Sequence, residues 1–254
     1  MAAAGRRVRE IYRVLDKTGD NVVGEILRDT GTFFEWDHYP TGDVYDAETH
    51  AQYYYHSHPL ALRGGEHGHF HTFLRPKGMP RNVRPADVPG FAPPAGDNDA
   101  LSHLIAISMD RAGFPTRLFT TNRWVTGETW YAAADVVAML GRFRIDRARP
   151  SWPTNIWIAS MLRLFRPQIA ALLRRRDAAL ADWRRRHPDR DAFEDRALEI
   201  ASVADISVDA QIAAVEAALR GARRRAKRWP GAAWCRQGPR ASCRTISKAR
   251  CSPR

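Results

Sequence analysis

Val8, Ile11, Val14 and Leu15 recur at three- to four-residue spacing, and Val22, Val23, Ile26 and Leu27 repeat that pattern after a Thr18-Gly19-Asp20 break. This is the period of one helical face, and it predicts two short helices before residue 32. From Phe33 to Glu48 the chain is aromatic and acidic, and Pro40 and Gly42 predict a packed loop there. Residues 50–58 and 67–75 instead alternate aromatic or small residues with histidines. They predict two strands, joined through Pro59 to Glu66 with its Gly64-Gly65 pair. Residues 76–99 hold Pro76, Pro80, Pro85, Pro89, Pro93 and Pro94, which no buried ladder tolerates, so a surface excursion or lid is expected. Ser102 to Met109 and Thr116 to Thr121 flank a turn-rich Asp110-Arg111-Ala112-Gly113-Phe114-Pro115 and predict a second hairpin.

Helical periods dominate afterwards. Val136, Val137, Met139 and Leu140 mark a helix over Ala132 to Phe143, and Thr154 to Phe165 and Pro167 to Arg186 are long amphipathic runs divided at Pro167. Arg174 to Arg176 and Arg184 to Arg186 are expected on the solvated faces of the last helix. Leu198 to Ile206 alternates as a fifth strand, and Val208 to Leu219 closes the body as a helix. Strands early and helices late imply an α+β fold: an antiparallel sheet of four to five strands, covered by helices on one side, with a helix-rich C-terminal half. Neither an internal repeat nor a glycine-rich phosphate loop is present.

Composition changes this picture at one end only. The 254 residues carry 40 Lys or Arg and 28 Asp or Glu, a formal charge of +12, but residues 221–254 hold 11 of the basic residues and none of the acidic ones. Residues 1–220 are thus nearly neutral and read as a single domain. The last 34 residues read as a basic, disordered and solvated tail; the alternative, a grip on nucleic acid or anionic lipid, attaches only there, through Arg223, Arg224, Arg225, Lys227 and Arg228 with Trp229 and Trp234. That tail also holds all three cysteines, Cys235, Cys243 and Cys251, without the spacing of a disulfide framework or zinc site. No stretch is long and apolar enough to span a bilayer and the first residues lack a signal-like apolar core, so a cytoplasmic location is expected.

Seven of the nine histidines fall between positions 38 and 71: His38, His50, His56, His58, His67, His69 and His71. Strand alternation puts His67, His69 and His71 on one face of their strand, and Tyr54, His56 and His58 on one face of its partner. An eight-residue hairpin loop would set His58 opposite His67, His56 opposite His69 and Tyr54 opposite His71, so that five imidazoles converge. A one-residue slip would destroy that convergence. Such a cluster binds divalent transition metals and moves protons near neutral pH. His56, His58, His67, His69 and His71 are therefore the expected ligands of zinc, iron, manganese, nickel or copper. Asp37, Asp43, Asp46, Glu48 and Glu66 are near enough in sequence to complete a shell or orient a ring. After the fourth strand, Asn122-Arg123-Trp124-Val125-Thr126-Gly127-Glu128 concentrates polar groups: it reads as a capped turn leading into the helix at 132 or, given a pocket over the histidine face, as a site where Arg123 holds a small anionic substrate and Glu128 acts as ligand or base.

Three resemblances bear on these residues. The H-x-H spacing of His67 and His69 resembles the cupin strand, with His103 as the later ligand, although the glutamate that cupins place shortly after is absent here. His67-Gly68-His69-Phe70-His71-Thr72-Phe73 also resembles the strand of the histidine-triad nucleotide hydrolases and transferases. That likeness implies a nucleophilic His69 and a supporting His71, with Arg75 near the family's trailing arginine, and without the apolar residues that family has at Gly68 and Thr72. Over a longer span, Glu35-Trp36-Asp37-His38-Tyr39-Pro40, Gly65 to Leu74, Leu118 to Glu128 and Arg149-Pro150-Ser151-Trp152-Pro153 resemble an uncharacterised bacterial family of a domain of unknown function. It would cover about residues 5–219 and implies no activity. The leading expectation is a metal-dependent enzyme. A histidine-triad-like nucleotide hydrolase or transferase, and a non-catalytic metal-binding or interaction module, are the alternatives.

Overall fold

In a computed structural model of the chain, residues 1–59 and 65–228 are described. Six strands form one antiparallel sheet in chain order: β1 (Tyr39–Tyr45), β2 (Ala51–His56), β3 (Gly68–Leu74), β4 (Ser102–Met109), β5 (Pro115–Thr121) and β6 (Ile200–Asp205). Seven α-helices accompany them among the described residues: α1 (Ala2–Asp16), α2 (Val22–Leu27), α3 (Arg123–Thr126), α4 (Ala133–Met139), α5 (Trp152–Leu164), α6 (Arg166–Arg186) and α7 (Val208–Arg228). The α+β class is as expected; the strand count is one higher. The added strand is β1, inside the segment expected to be loop. It is an edge strand whose pairing with β2 shifts register between Tyr39 and Val44, with Gly42 and Asp43 at positive φ between them. Pro40 is tolerated because an edge strand has one unpaired side.

Both predicted hairpins form. β2 and β3 pair with His56 opposite His69 and Tyr54 opposite His71, the expected register. Between β4 and β5 the Asp110 carboxylate accepts the Ala112 and Phe114 amides, and Gly113 takes the left-handed conformation at φ 80° that this turn requires. Gly64 lies outside the described residues.

The sheet divides the interior. Tyr53, Tyr55, Phe70, Ile105, Ile107 and Leu118 join the main hydrophobic core, where Trp157 of α5 packs 5.8 Å from Phe70 and α5 itself packs on α1 and α2. Ser151 caps α5 through the Thr154 amide and donates to Glu25 of α2. The opposite face carries Tyr54, His56, His69, His71, Phe73 and Phe119, all buried as well. Every position of β2, β3 and β4 is buried, which corrects the expectation that one sheet face is covered. Polar rings in period two read as a solvated face from sequence, but here other rings and irregular chain enclose them.

Two further expectations change. Beyond the short 3-10 turn Pro76–Gly78 the proline-rich segment is irregular, but it is not a free excursion. Val83 packs into the main core, and Val88 joins a second cluster with Trp130, Leu180, Ala192, Phe193 and Leu198. Arg176 is buried rather than solvated: it donates to the Tyr131 carbonyl at 2.6 Å, pairs with Asp177 at 2.8 Å and lies 3.9 Å over the Trp130 ring. Arg174 and Arg175 of the same run are exposed, as expected.

Residues Met1–Val215 form one compact unit; of the second, which begins at Glu216, the end of α7 is described. That helix runs to Arg228, nine residues past its expected end. The three cysteines, Trp229, Trp234 and the rest of the basic tail lie outside the described residues. Among the described residues no single helix is long and apolar enough to cross a membrane.

Candidate metal centre

The register of β2 and β3 brings His56 Nε2 and His69 Nε2 to 2.7 Å. His58 lies two residues past the end of β2, with its ring centroid 4.9 Å from that of His56 and stacked 5.2 Å from that of His69. One nitrogen from each of His56, His58 and His69 falls within 4.8 Å of the other two. His56 and His69 are buried and His58 half-buried. Glu66, itself buried, places Oε1 2.6 Å from His69 Nδ1 and accepts from Arg117 on Oε2 at 3.2 Å. The carboxylate selects the tautomer: Nδ1–H donates to Glu66, and the Nε2 lone pair is left facing His56. A tetrahedral ion with nitrogens at ~2.0–2.1 Å spaces them about 3.3 Å apart, so binding asks these two rings to part by roughly half an ångström.

His71 and His103 form a second pair behind the first, His71 Nδ1 to His103 Nε2 at 3.0 Å, with the His69 and His71 ring centroids 4.8 Å apart. Burial, with the neighbouring imidazoles adding to it, holds His71 well below the ordinary imidazole range. Burial and then the Arg176 charge push His103 down to about 3. Both are neutral rings in the folded protein. His71, tied to His103, lies beside the three-histidine group rather than in it.

His67 corrects the five-fold convergence. It precedes β3, whose alternation starts at Gly68, and it turns to the core side, where Nδ1 meets the Tyr55 hydroxyl at 2.7 Å and the ring stacks on Phe33. Arg123 is likewise displaced. It pairs with Glu194, lies 4.2 Å over the Phe91 ring and reaches the Glu128 carbonyl, so it clasps loops together and does not face the histidines. Glu128 is fully buried, accepting the His103 amide on Oε2 at 2.7 Å, and Oε1 has no partner among the described residues. Burial pushes its carboxyl up to about 7. It supports the His103 backbone and is not part of the three-histidine group. Of the nearby carboxylates, Glu66 is hydrogen-bonded to His69. Asp43 holds His38 and Gln52, and Asp46 accepts the Glu48, Thr49 and Asp146 amides.

His56 and His58 line an open cavity of about 750 Å³ together with Trp36, Tyr54, Trp124 and Arg196; Glu199 also contributes. Besides β2, its walls come from three distant stretches: the loop before β1, α3 after β5, and the segment leading into β6. Asn122 ties the last two together, its side chain donating to the Ala192 carbonyl and its amide to that of Glu199. Trp124 is set by an indole N–H to the Leu198 carbonyl at 3.0 Å, and His38 stacks on Tyr54 at 3.6 Å. Trp36, Arg196 and Glu199 were not expected as site residues. Each is a lone polar or aromatic residue in an irregular segment, and no local spacing marks it. Gly68 was missed too, though a glycine inside a strand signals close approach: a Cβ there would lie 2.5 Å from the Tyr55 hydroxyl and 2.6 Å from the His56 carbonyl oxygen.

A family model for a domain of unknown function, DUF6969, matches residues 2–206. No curated protein and no solved structure matches the chain.

Proposed function

We propose that this chain, which belongs to the DUF6969 family, is a metal-dependent enzyme whose ion is held by His56, His58 and His69. The observation that carries this reading is the meeting of three imidazole nitrogens, within 4.8 Å of one another, at the wall of an open cavity. Neutral nitrogen donors without cysteine suit zinc, iron, manganese, nickel or copper. Three protein ligands would leave a coordination position open, the pattern of catalytic rather than structural zinc. A bound ion supplies a Lewis acid and an acidified water there. The chain's own part is to fix His69 through Glu66, to hold Glu66 in place through Arg117 at 3.2 Å, and to bury two of the ligands while leaving the third accessible.

Elemental mass spectrometry on the full chain, purified without an affinity tag from metal-replete growth, tests the site. One equivalent of a divalent transition metal is expected, lost in His69→Ala and bound about 10–100-fold more weakly in Glu66→Gln. A folded, metal-free protein under those conditions would overturn the reading. Retention of the metal by His71→Ala is expected as well, because His71 hydrogen-bonds to His103 instead.

A further inference from the structure

Resting on that metal reading, we infer that the cavity beside His56 and His58 takes an organic anion bearing a flat aromatic ring, its carboxylate toward the histidines and its ring against Trp36 and Trp124.

The anionic half follows from charge. Three neutral imidazoles leave the double charge of a divalent ion uncompensated, and the charge of Glu66 is already met by Arg117. The cavity adds one cation and one carboxylate of its own, Arg196 and Glu199. Arg196 is exposed, lies 4.3 Å over the Trp124 ring and has no carboxylate partner among the described residues. Asp43, which is hydrogen-bonded to both His38 and Gln52, is not among the residues that line the cavity. The lining is therefore positive once an ion is bound, and a negatively charged ligand is attracted rather than repelled.

The ring follows from the walls. Trp36 is 56% exposed, a large apolar side chain left in water at a cavity mouth, and its ring stands edge-on to His58 with centroids 4.3 Å apart. Trp124 presents a second indole, fixed by its hydrogen bond to Leu198. Indoles bury planar apolar groups at low entropic cost, and a guanidinium beside one of them reads a neighbouring carboxylate. About 750 Å³ is within the range of small-molecule sites and ample for a two-ring acid.

Isothermal titration calorimetry of the full chain with 2-naphthoate, beside metal analysis of the same samples, tests this. Parent protein is expected to bind 2-naphthoate, and Trp36→Ala and Arg196→Gln each to weaken it about tenfold with metal content unchanged. 2-Naphthol, lacking the charge, and cyclohexanecarboxylate, lacking the flat ring, are expected to bind about tenfold less tightly than 2-naphthoate. Metal-loaded protein that ignores 2-naphthoate, or binds it equally well in both variants, overturns the inference while the metal site stands. If the protein proves metal-free, the metal reading fails by itself; 2-naphthoate binding weakened by both substitutions would still support the aromatic-anion cavity, and no binding would overturn it.

Discussion

Glu128 and His103 are joined through one hydrogen bond, yet burial moves them in opposite directions on the pH scale. The Glu128 carboxyl rises from 4.5 to about 7, so between those values the unfolded chain gives up its proton first. Its contribution is complete below pH 4.5 and is lost as pH rises through 7, an effect on the order of 3 kcal/mol. His103 falls from 6.5 to about 3, so its contribution is complete above pH 6.5 and is lost as pH falls toward 3. Glu128→Gln is therefore expected to remove the loss of stability between pH 5 and 8, which calorimetric melting across that range would check; an unchanged profile would place the titration elsewhere. Glu128 was legible as an unusual residue because it closes a polar phrase after a strand. What that phrase does was not legible: Arg123 and Glu128 serve backbone and loops, since nothing local says which way a side chain leaves a short helix such as α3.

At the scale of elements, the β2–β3 hairpin was readable almost residue by residue. Alternation has period two, and only one register buries Tyr53, Tyr55 and Phe70 together. The prediction failed one residue from the strand end, at His67, where alternation ceases to apply. Gly68 guards that junction. Gly68→Ala would press a methyl group onto the His56 carbonyl and the Tyr55 ring, so it is expected to lower the melting temperature and weaken metal binding together; parent-like values for both would show that the strands can part there. Helix α6 shows the converse. Its arginine runs look alike in sequence, but Arg176 is enclosed under Trp130 and spans to the Tyr131 carbonyl ahead of α4, while Asp177 accepts the Ala133 amide at 2.7 Å. Replacing this buried cation by Leu is expected to cost on the order of 3 kcal/mol, measured by urea unfolding, because the Tyr131 carbonyl would lose its partner.

For the whole molecule, binding that favours the folded state must appear as stability. Zinc or nickel at a hundred times its dissociation constant is expected to stabilise the parent by about 2.7 kcal/mol and to leave His69→Ala unmoved; equal shifts in both would point to ion binding outside the three histidines. The family match ends at residue 206, before the basic run that dominates the net charge, so the chain's charge says little about what the domain does. Sequence alone determined the α+β class, both hairpins, the register between His56 and His69, and the near-neutral body, because each depends on periodicity, turn residues or counting within a short window. Only the tertiary structure decided which histidines meet, that their face is enclosed, that Glu66 backs His69, and that Trp36, Trp124, Arg196 and Glu199 surround the cavity. Those residues are up to 163 positions apart, and their convergence depends on how loops cross a twisted sheet, which no local pattern encodes.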